Sequence, residues 1–423
     1  MSERGPARRG LGLLLAGNAV SITGTTMTTI AVPWFVLVTT GSAARAGAAV
    51  SVSLVPIVIS AVFGGAIVDR MGHRRASVLS DLAGGLLAAA IPALYATVGL
   101  GFAPLLALLF GRWLLAAPGE TARRALVPAL AVAGGVRMER ATASFDAVSR
   151  GARMAGAPLA GLLIVVFGAG RLGPVAVLFV DAATFAFSAV LIGWGVPRPR
   201  RPAGSGDGRD LDGYLARLRE GLTFLWRERV LRAITLMVFF GNMLDSAFGV
   251  LLQVYAREVL GDPRALGLLV GISGGGAVVG ALVYGLVGAR LSRWKTYAVC
   301  FVLAAVPRWF VFAAGAPFPL LLGTQALSGL MGGALNPLIG VVEFERIPAR
   351  LRVRVMGAGD AGSFAGMPVG ALLAGALAGS VGLTTSLLGC GVGYLAICLT
   401  PFIAKVWRGL DVALSPAPAE ERA

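Results

Sequence analysis

Asn242, Asp245, Gly249 and Gln253 follow one another at steps of three, four and four inside a long apolar run, so a helix carries them on one face. Asn18, Ser21, Thr25 and Thr28 form a second polar stripe in an apolar run near the N-terminus. Two such stripes are expected to line one central cavity. Asp245 is then the candidate for a titrating or cation-binding carboxylate, with Asn18, Ser21, Thr25, Thr28, Asn242 and Gln253 as candidate substrate contacts. The alternative for Asp245 is a permanent ion pair with an Arg of a neighbouring helix. A charge in the middle of an apolar helix costs about 2.5–3.5 kcal/mol on membrane-insertion scales, so each needs a partner or a task. Arg112 has no acid within a helical turn and must meet one from another helix, or an anionic group of a substrate. Asp146 precedes Arg150 by four residues and Arg153 by seven, which permits an intrahelical ion pair or a place in proton transfer. Asp360 is read as a residue that favours the N-terminus of its helix.

Other chemistry is poorly represented. The single His, His73, lies in a charged hairpin, and Cys300, Cys390 and Cys398 lie in apolar runs without ligand spacing, so neither a metal nor another cofactor is expected. Gly168-Ala-Gly170-Arg-Leu-Gly173 and Gly357-Ala-Gly359-Asp-Ala-Gly362 match a dinucleotide fingerprint, but neither sits in a strand–turn–helix unit. No nucleophile–base constellation and no phosphate-loop Lys appear, so an enzyme is not expected.

The elements that hold these residues are membrane helices. The 423 residues are 57% hydrophobic and 14% charged, with a mean hydropathy of +0.81. Apolar stretches long enough to cross about 30 Å of hydrocarbon recur along the chain. Twelve spans are expected, roughly 11–39, 46–68, 76–98, 102–118, 142–167 and 173–196, then 233–255, 265–289, 296–314, 317–342, 355–380 and 383–406. The net charge of +16 does not point to nucleic acid. The Arg and Lys between spans crowd onto one side, which places both termini in the cytoplasm by the positive-inside rule. Residues 197–232 form a cytoplasmic linker in which Leu211, Leu215, Leu218, Leu222 and Leu225 recur at helical steps; this is an amphipathic helix on the inner leaflet or a plain helical spacer.

Residues 1–196 and 233–423 read as two six-helix copies. Gly17-Asn18 corresponds to Gly241-Asn242, Gly156-Ala157-Pro158 to Gly366-Met367-Pro368, and Gly65-x-x-x-Asp69-Arg70 to Gly285-x-x-x-Ala289-Arg290, where the acid is missing. Asp69 is expected to act as a gating latch toward the helix of Arg112 or toward helix 11, and Glu120 to pair with Arg74 or Arg75.

The hairpin after helix 2 carries Gly65, Asp69, Arg70, Gly72, Arg74 and Arg75, with His73 as an extra position. It resembles the signature loop of the major facilitator superfamily. Arg123-Arg124-Ala-Leu-Val-Pro-Ala-Leu, Arg153 to Gly161, and Phe179-Val-Asp181-Ala-Ala-Thr-Phe185 resemble the macrolide-efflux and siderophore-export branch. The resemblance implies an all-α fold of twelve helices in two pseudo-repeats, alternating access, and export of an amphiphilic small molecule, many relatives exchanging it for protons. It also implies a role for Arg112 in proton transfer. The chain departs from the antiporter pattern where Ala157 separates Gly156 from Pro158, and from the helix 4 motif where Ala116 replaces a Gly. A monomer in the bacterial cytoplasmic membrane is expected, with a lipid flippase or a non-transporting membrane sensor as alternatives.

Overall fold

The computed structural model describes residues 4–168, 170–197, 211–348 and 351–411; within these, the side chains of 4, 61–67, 69, 211–218 and 353 lie outside the description. The described residues are almost wholly helical. The first six helices are α1 (Arg4–Thr40), α2 (Ala43–Met71), α3 (His73–Thr97), α4 (Phe102–Gly134), α5 (Met138–Val166) and α6 (Leu172–Gly195). The linker helix α7 (Leu211–Arg227) leads into α8 (Arg229–Tyr255), α9 (Pro263–Val287), α10 (Arg293–Ala313), α11 (Phe318–Arg346), α12 (Arg352–Phe364), α13 (Gly366–Val381) and α14 (Leu383–Ile403). Among the described residues, eleven spans are long and apolar enough to cross a membrane, with α12 and α13 together making one of them. The twelfth expected span is α5, whose 29 residues include Arg150 and Arg153. It packs against α1, α4, α6 and α9, so much of its surface faces protein rather than lipid.

Among the boundaries that differ from the sequence expectation, three bear on the site. α4 runs on through Pro118 to Gly134, where Gly135 (φ 62°) caps it in the left-handed conformation. Prolines are tolerated inside membrane helices because neighbours re-satisfy the freed backbone groups. Arg123 and Arg124 are therefore helical residues and not loop charges. α5 likewise begins at Met138, earlier than expected. The expected continuous helix over 355–380 is broken at Ala365 into α12 and α13. Pro368 has no N–H for the Phe364 carbonyl, and the Asn242 amide instead donates to the Ser363 carbonyl at 3.0 Å.

α1 and α3–α6 pack on one another, as do α8–α11, α13 and α14, and the two groups meet chiefly where α2 lies on α13 and α5 lies on α9. Glycine makes both contacts possible. A Cβ on Gly47 would stand 2.5 Å from the Ala371 carbonyl oxygen, and one on Gly161 would stand 2.5 Å from that of Pro263. Small residues let membrane helices approach to backbone distance. These contacts fall toward the ends of the bundle linked by the turns at Gly41, Gly168 and Gly261, all of positive φ. The opposite, terminal face holds the start of α1 and the last described residues and is laced with polar contacts: Arg293 with Glu345, Arg346 with Glu228, and Asp411 with Ser292 and the Trp294 amide.

α7 does not stand apart from the bundle. Its described part lies on α12, with Gly221 against the Arg354 carbonyl, Glu220 paired with Arg354 at 2.6 Å, and Leu225 buried with Leu351 and Val355. Leu222 is exposed, and the side chains of Leu211, Leu215 and Leu218 lie outside the described residues.

Candidate substrate cavity and its charge networks

A cavity of about 760 Å³ is walled by α1, α2, α4, α5 and α6, and by α12 alone from the second half of the chain. Thr25 and Thr28 of α1 line it, with Leu54 and Ile57 of α2, Trp113 of α4, Phe185 of α6 and Phe364 of α12. Toward the terminal face it reaches Glu120, Arg124, Arg153 and Asp360. Its threonines remain helical because they bond to their own helix: Thr26 donates to the Ile22 carbonyl and Thr29 to that of Thr26. The wall is thus apolar with hydroxyl oxygens set into it, a surface suited to an amphiphilic ligand.

Beside the cavity Arg112 is fully buried and meets the acid of another helix, Asp181 of α6. Thr28 donates to the same carboxylate at 2.6 Å. The guanidinium also lies over the Trp113 and Phe185 rings, at 4.9 and 5.5 Å from their centroids. Arg112 Nε and Nη1 and Asp181 Oδ1 have no hydrogen-bond partner among the described residues.

A second buried network lies outside the residues singled out in the sequence, apart from Asn18. Asp81 of α3 accepts from Arg123 Nη1 at 2.8 Å and from the Ser188 hydroxyl at 2.6 Å. Arg123 Nε donates to Asn18 Oδ1 at 2.9 Å, and Asn18 Nδ2 donates to the Ser149 hydroxyl at 2.9 Å. Five helices, α1 and α3 to α6, are joined by these contacts. Gly119 leaves room for them, since its missing Cβ would stand 3.7 Å from Asp81 Oδ1 and 3.0 Å from Ser80. Asn18 and Ser21 are fully buried and do not line the cavity. The signal for this site was present: Asp81 is an acid inside an apolar span, the very pattern that singled out Asp245.

The polar stripe of α8 is divided between two places. Asp245 pairs with Arg308 of α10 and accepts from the Tyr394 hydroxyl at 3.2 Å. Arg308 also lies over the Phe248 ring at 4.4 Å. Asp245 and Asn242 line a separate cavity of about 290 Å³ with Ser273, Ser328 and Asn336. Gln253, at the far end of α8, donates to the Thr29 carbonyl of α1 at 3.4 Å. The expectation of one cavity shared by both stripes is therefore corrected: helices rotate about their own axes to bury their apolar faces, and repeat-equivalent residues need not converge. The Asp245 side chain is 48% exposed while that of Arg308 is 12% exposed, so the carboxylate remains reachable from the cavity.

Three further acids stand differently from expectation. Glu120 pairs with Arg153 at 2.6 Å instead of Arg74 or Arg75. Asp146 pairs with Arg124 of α4 at 3.1 Å instead of Arg150 of its own helix. Asp360 stands past the first turn of α12 rather than at its N-terminus. In the hairpin, Gly72 supplies the turn with φ 83°, and Arg74 donates to the Gly193 carbonyl. Arg70 and Arg75 are exposed. The side chains of Gly65 and Asp69 lie outside the described residues, so the expected latch at Asp69 does too. Among the described residues no group of His, Cys, Asp and Glu is placed to hold a metal ion.

Helices of this length, joined by short turns around a central cavity with ion pairs buried beside it, define a multi-pass membrane transporter. The sequence model of the Major Facilitator Superfamily matches residues 14–263 and 234–423, and the chain belongs to that superfamily. It is similar to the multidrug efflux pump Tap of Mycolicibacterium fortuitum, 31% identical over 421 residues that cover 98% of this chain and 99% of that protein. It is 29% identical to the multidrug efflux pump Tap of Mycobacterium tuberculosis, covering 97% of this chain and 96% of that protein. Among solved structures its fold is similar to a mutant form of the nucleoside transporter NupG (TM-score 0.73, 12% identity, 93% of this chain and 98% of that one). It is also similar to a bacterial homologue of the lysosomal transporter Spinster in an inward-facing conformation (TM-score 0.68, 14% identity, 97% and 99%).

Proposed function

We propose that the protein exports amphiphilic, drug-like molecules across the cytoplasmic membrane by alternating access, in exchange for protons. The observation that carries this reading is the cavity of about 760 Å³ walled by the helices of the first half and by α12, with its apolar, hydroxyl-studded wall. Such a volume suits a drug-sized ligand. The similarity to multidrug efflux pumps over nearly the whole chain supports the same reading. The excess of Arg on the terminal face supports a cytoplasmic position for it. The cavity then faces the cytoplasm, while the glycine contacts of α2 with α13 and of α5 with α9 close the outer side.

Asp245 and Asp181 divide the work of coupling. Asp245 is half-exposed and bound to Arg308 and Tyr394, so it is the carboxylate that a proton reaches first. Protonation cancels its attraction for Arg308 and loosens α8 from α10. The Arg112–Asp181 pair stays sealed and holds α4 to α6 and, through Thr28, to the cavity wall. Export and coupling are tested in energised everted vesicles by following the pH gradient with a fluorescent dye while amphiphiles are added. Proton release on adding a substrate, lost in Asp245→Asn, is the expected result. Substrate accumulation with no proton movement in the wild type overturns the coupling, and no accumulation of any amphiphile overturns export.

A further inference from the structure

The buried network around Asp81 leaves one donor over. Arg123 lines the cavity of about 760 Å³, although its side chain is only 4% exposed. Its Nε is spent on Asn18 Oδ1 and its Nη1 on Asp81 Oδ1. The partners are themselves occupied. Asp81 Oδ2 accepts from Ser188, Asn18 Nδ2 donates to Ser149, and Ser149 donates to the Phe145 carbonyl. Arg123 Nη2 makes no hydrogen bond among the described residues, and unlike Arg112 Nε and Nη1 it is not walled in. What Arg123 offers the cavity is therefore a guanidinium edge with N–H groups still to donate.

That edge differs from the other two arginines of the wall. The Arg124 and Arg153 side chains are 64% and 53% exposed, and their acids are exposed too, so water screens both pairs. Arg123 is held by buried acceptors from two helices, α1 and α3. A ligand that bonds to it costs the protein no rotamer freedom. Its charge is balanced by the fully buried Asp81. An anion at this edge would give up its water for a site whose ion pair is already complete, which is costly. An uncharged oxygen gives up far less and gains a charge-assisted hydrogen bond. Ile22, Thr26 and Ala116 of the same wall suit the apolar body of such a ligand.

We infer that the Nη2 edge of Arg123 is a specificity-determining point of the cavity, and that it selects uncharged amphiphiles carrying a carbonyl or ether oxygen. Asp81 is its positioning residue: it fixes the guanidinium and neutralises it. The inference rests on the export reading for the fate of the ligand, but not for its binding chemistry.

The test uses three amphiphiles of one shape: octanophenone, octylbenzene, which lacks the carbonyl, and octylbenzoate, which is an anion. The full-length protein is placed in lipid nanodiscs, and binding of each radiolabelled compound is measured after subtracting its uptake by protein-free discs. Wild type is expected to bind the ketone about tenfold more tightly than octylbenzene, the worth of one hydrogen bond to a charged donor, and octylbenzoate no more tightly than the ketone. Arg123→Lys keeps a charge for Asp81 but loses the forked edge. It is expected to lose the ketone preference with octylbenzene affinity unchanged. The double variant Asp81→Asn with Arg123→Gln, which strands no charge, is expected to do the same and serves should Arg123→Lys not fold. Asp81→Asn alone leaves the arginine unbalanced and is expected to bind octylbenzoate severalfold more tightly than wild type does. No ketone preference in the wild type, binding of none of the three, an unchanged preference in a folded Arg123 variant, or equal losses for ketone and octylbenzene each overturns the inference. No gain of octylbenzoate binding in folded Asp81→Asn overturns the neutralising role of Asp81. Export of octanophenone and octylbenzene by wild type in everted vesicles separates the two readings. Equal export of both overturns the role of Arg123 and leaves export standing; ketone-selective binding with export of neither does the reverse.

Discussion

Arg123 Nη1 lies 2.8 Å from Asp81 Oδ1 with both side chains buried, and this pair joins α4 to α3 where the sequence alone showed an arginine at the edge of a loop. Removing one member leaves the other as an uncompensated buried charge, which costs about 3–5 kcal/mol. Asp81→Ala is expected to lower the melting temperature of the detergent-purified protein sharply. Asp81→Asn with Arg123→Gln should recover much of the loss, because the amides keep hydrogen bonds without stranding a charge. A double variant no better than Asp81→Ala would show that the network does not act as a pair.

Glu120 and Arg153 form the contrasting case. Their side chains are 40% and 53% exposed, and such pairs contribute about 0–1 kcal/mol. Glu120→Gln and Asp146→Asn are each expected to leave the melting temperature within a few degrees of wild type. A loss as large as that of Asp81→Ala would mean that these exposed pairs hold the helices after all.

Gly370 and Gly249 should respond oppositely to the same substitution. A Cβ on Gly370 would overlap the Met243 carbonyl oxygen, whereas one on Gly249 meets nothing within 4 Å. Gly370→Ala is expected to push α13 off α8 and to abolish folded, monodisperse protein. Gly249→Ala should express normally and be slightly more stable, since Ala is the better helix former by about 1 kcal/mol. Size-exclusion profiles of the two variants decide the matter.

Asn242 holds the break between α12 and α13 through the Ser363 carbonyl. Asn242→Leu leaves that carbonyl without its side-chain donor, and a lost hydrogen bond of this kind costs about 1–3 kcal/mol. Amide exchange over 360–370 is expected to speed up, with the rest of α13 unchanged. Exchange unchanged at the break would assign its geometry to Pro368 alone.

The linker helix offers a way to disturb transport without touching the cavity. A Cβ on Gly221 would stand 2.8 Å from the Arg354 carbonyl oxygen. Gly221→Val is expected to lift α7 from α12 and slow export severalfold while leaving ligand affinity near wild type. Equal losses of affinity and rate would indicate damage to the cavity itself.

The class of protein could be read from the order of residues. Long apolar runs admit only structures whose backbone groups bond within each segment, and the hairpin around Gly72 with the repeated Gly-Asn and Gly-x-Pro patterns carried the superfamily and its two copies. The same runs marked Arg112 and Asp245 as charges that must have partners, because a charge in an apolar helix is expensive wherever its helix sits. Which partner each takes was settled by the packed bundle. Whether Arg112 meets Asp181, Glu120 meets Arg153, or Asp245 meets Arg308 depends on how each helix is rotated and how far it slides along its neighbours. Those quantities are fixed by packing at glycines such as Gly47, Gly161 and Gly370, whose contacts lie a hundred residues or more away in the chain. The same holds for Asp360: its charge can be read in the sequence, but that no ion pair reaches it among the described residues is a property of the whole arrangement.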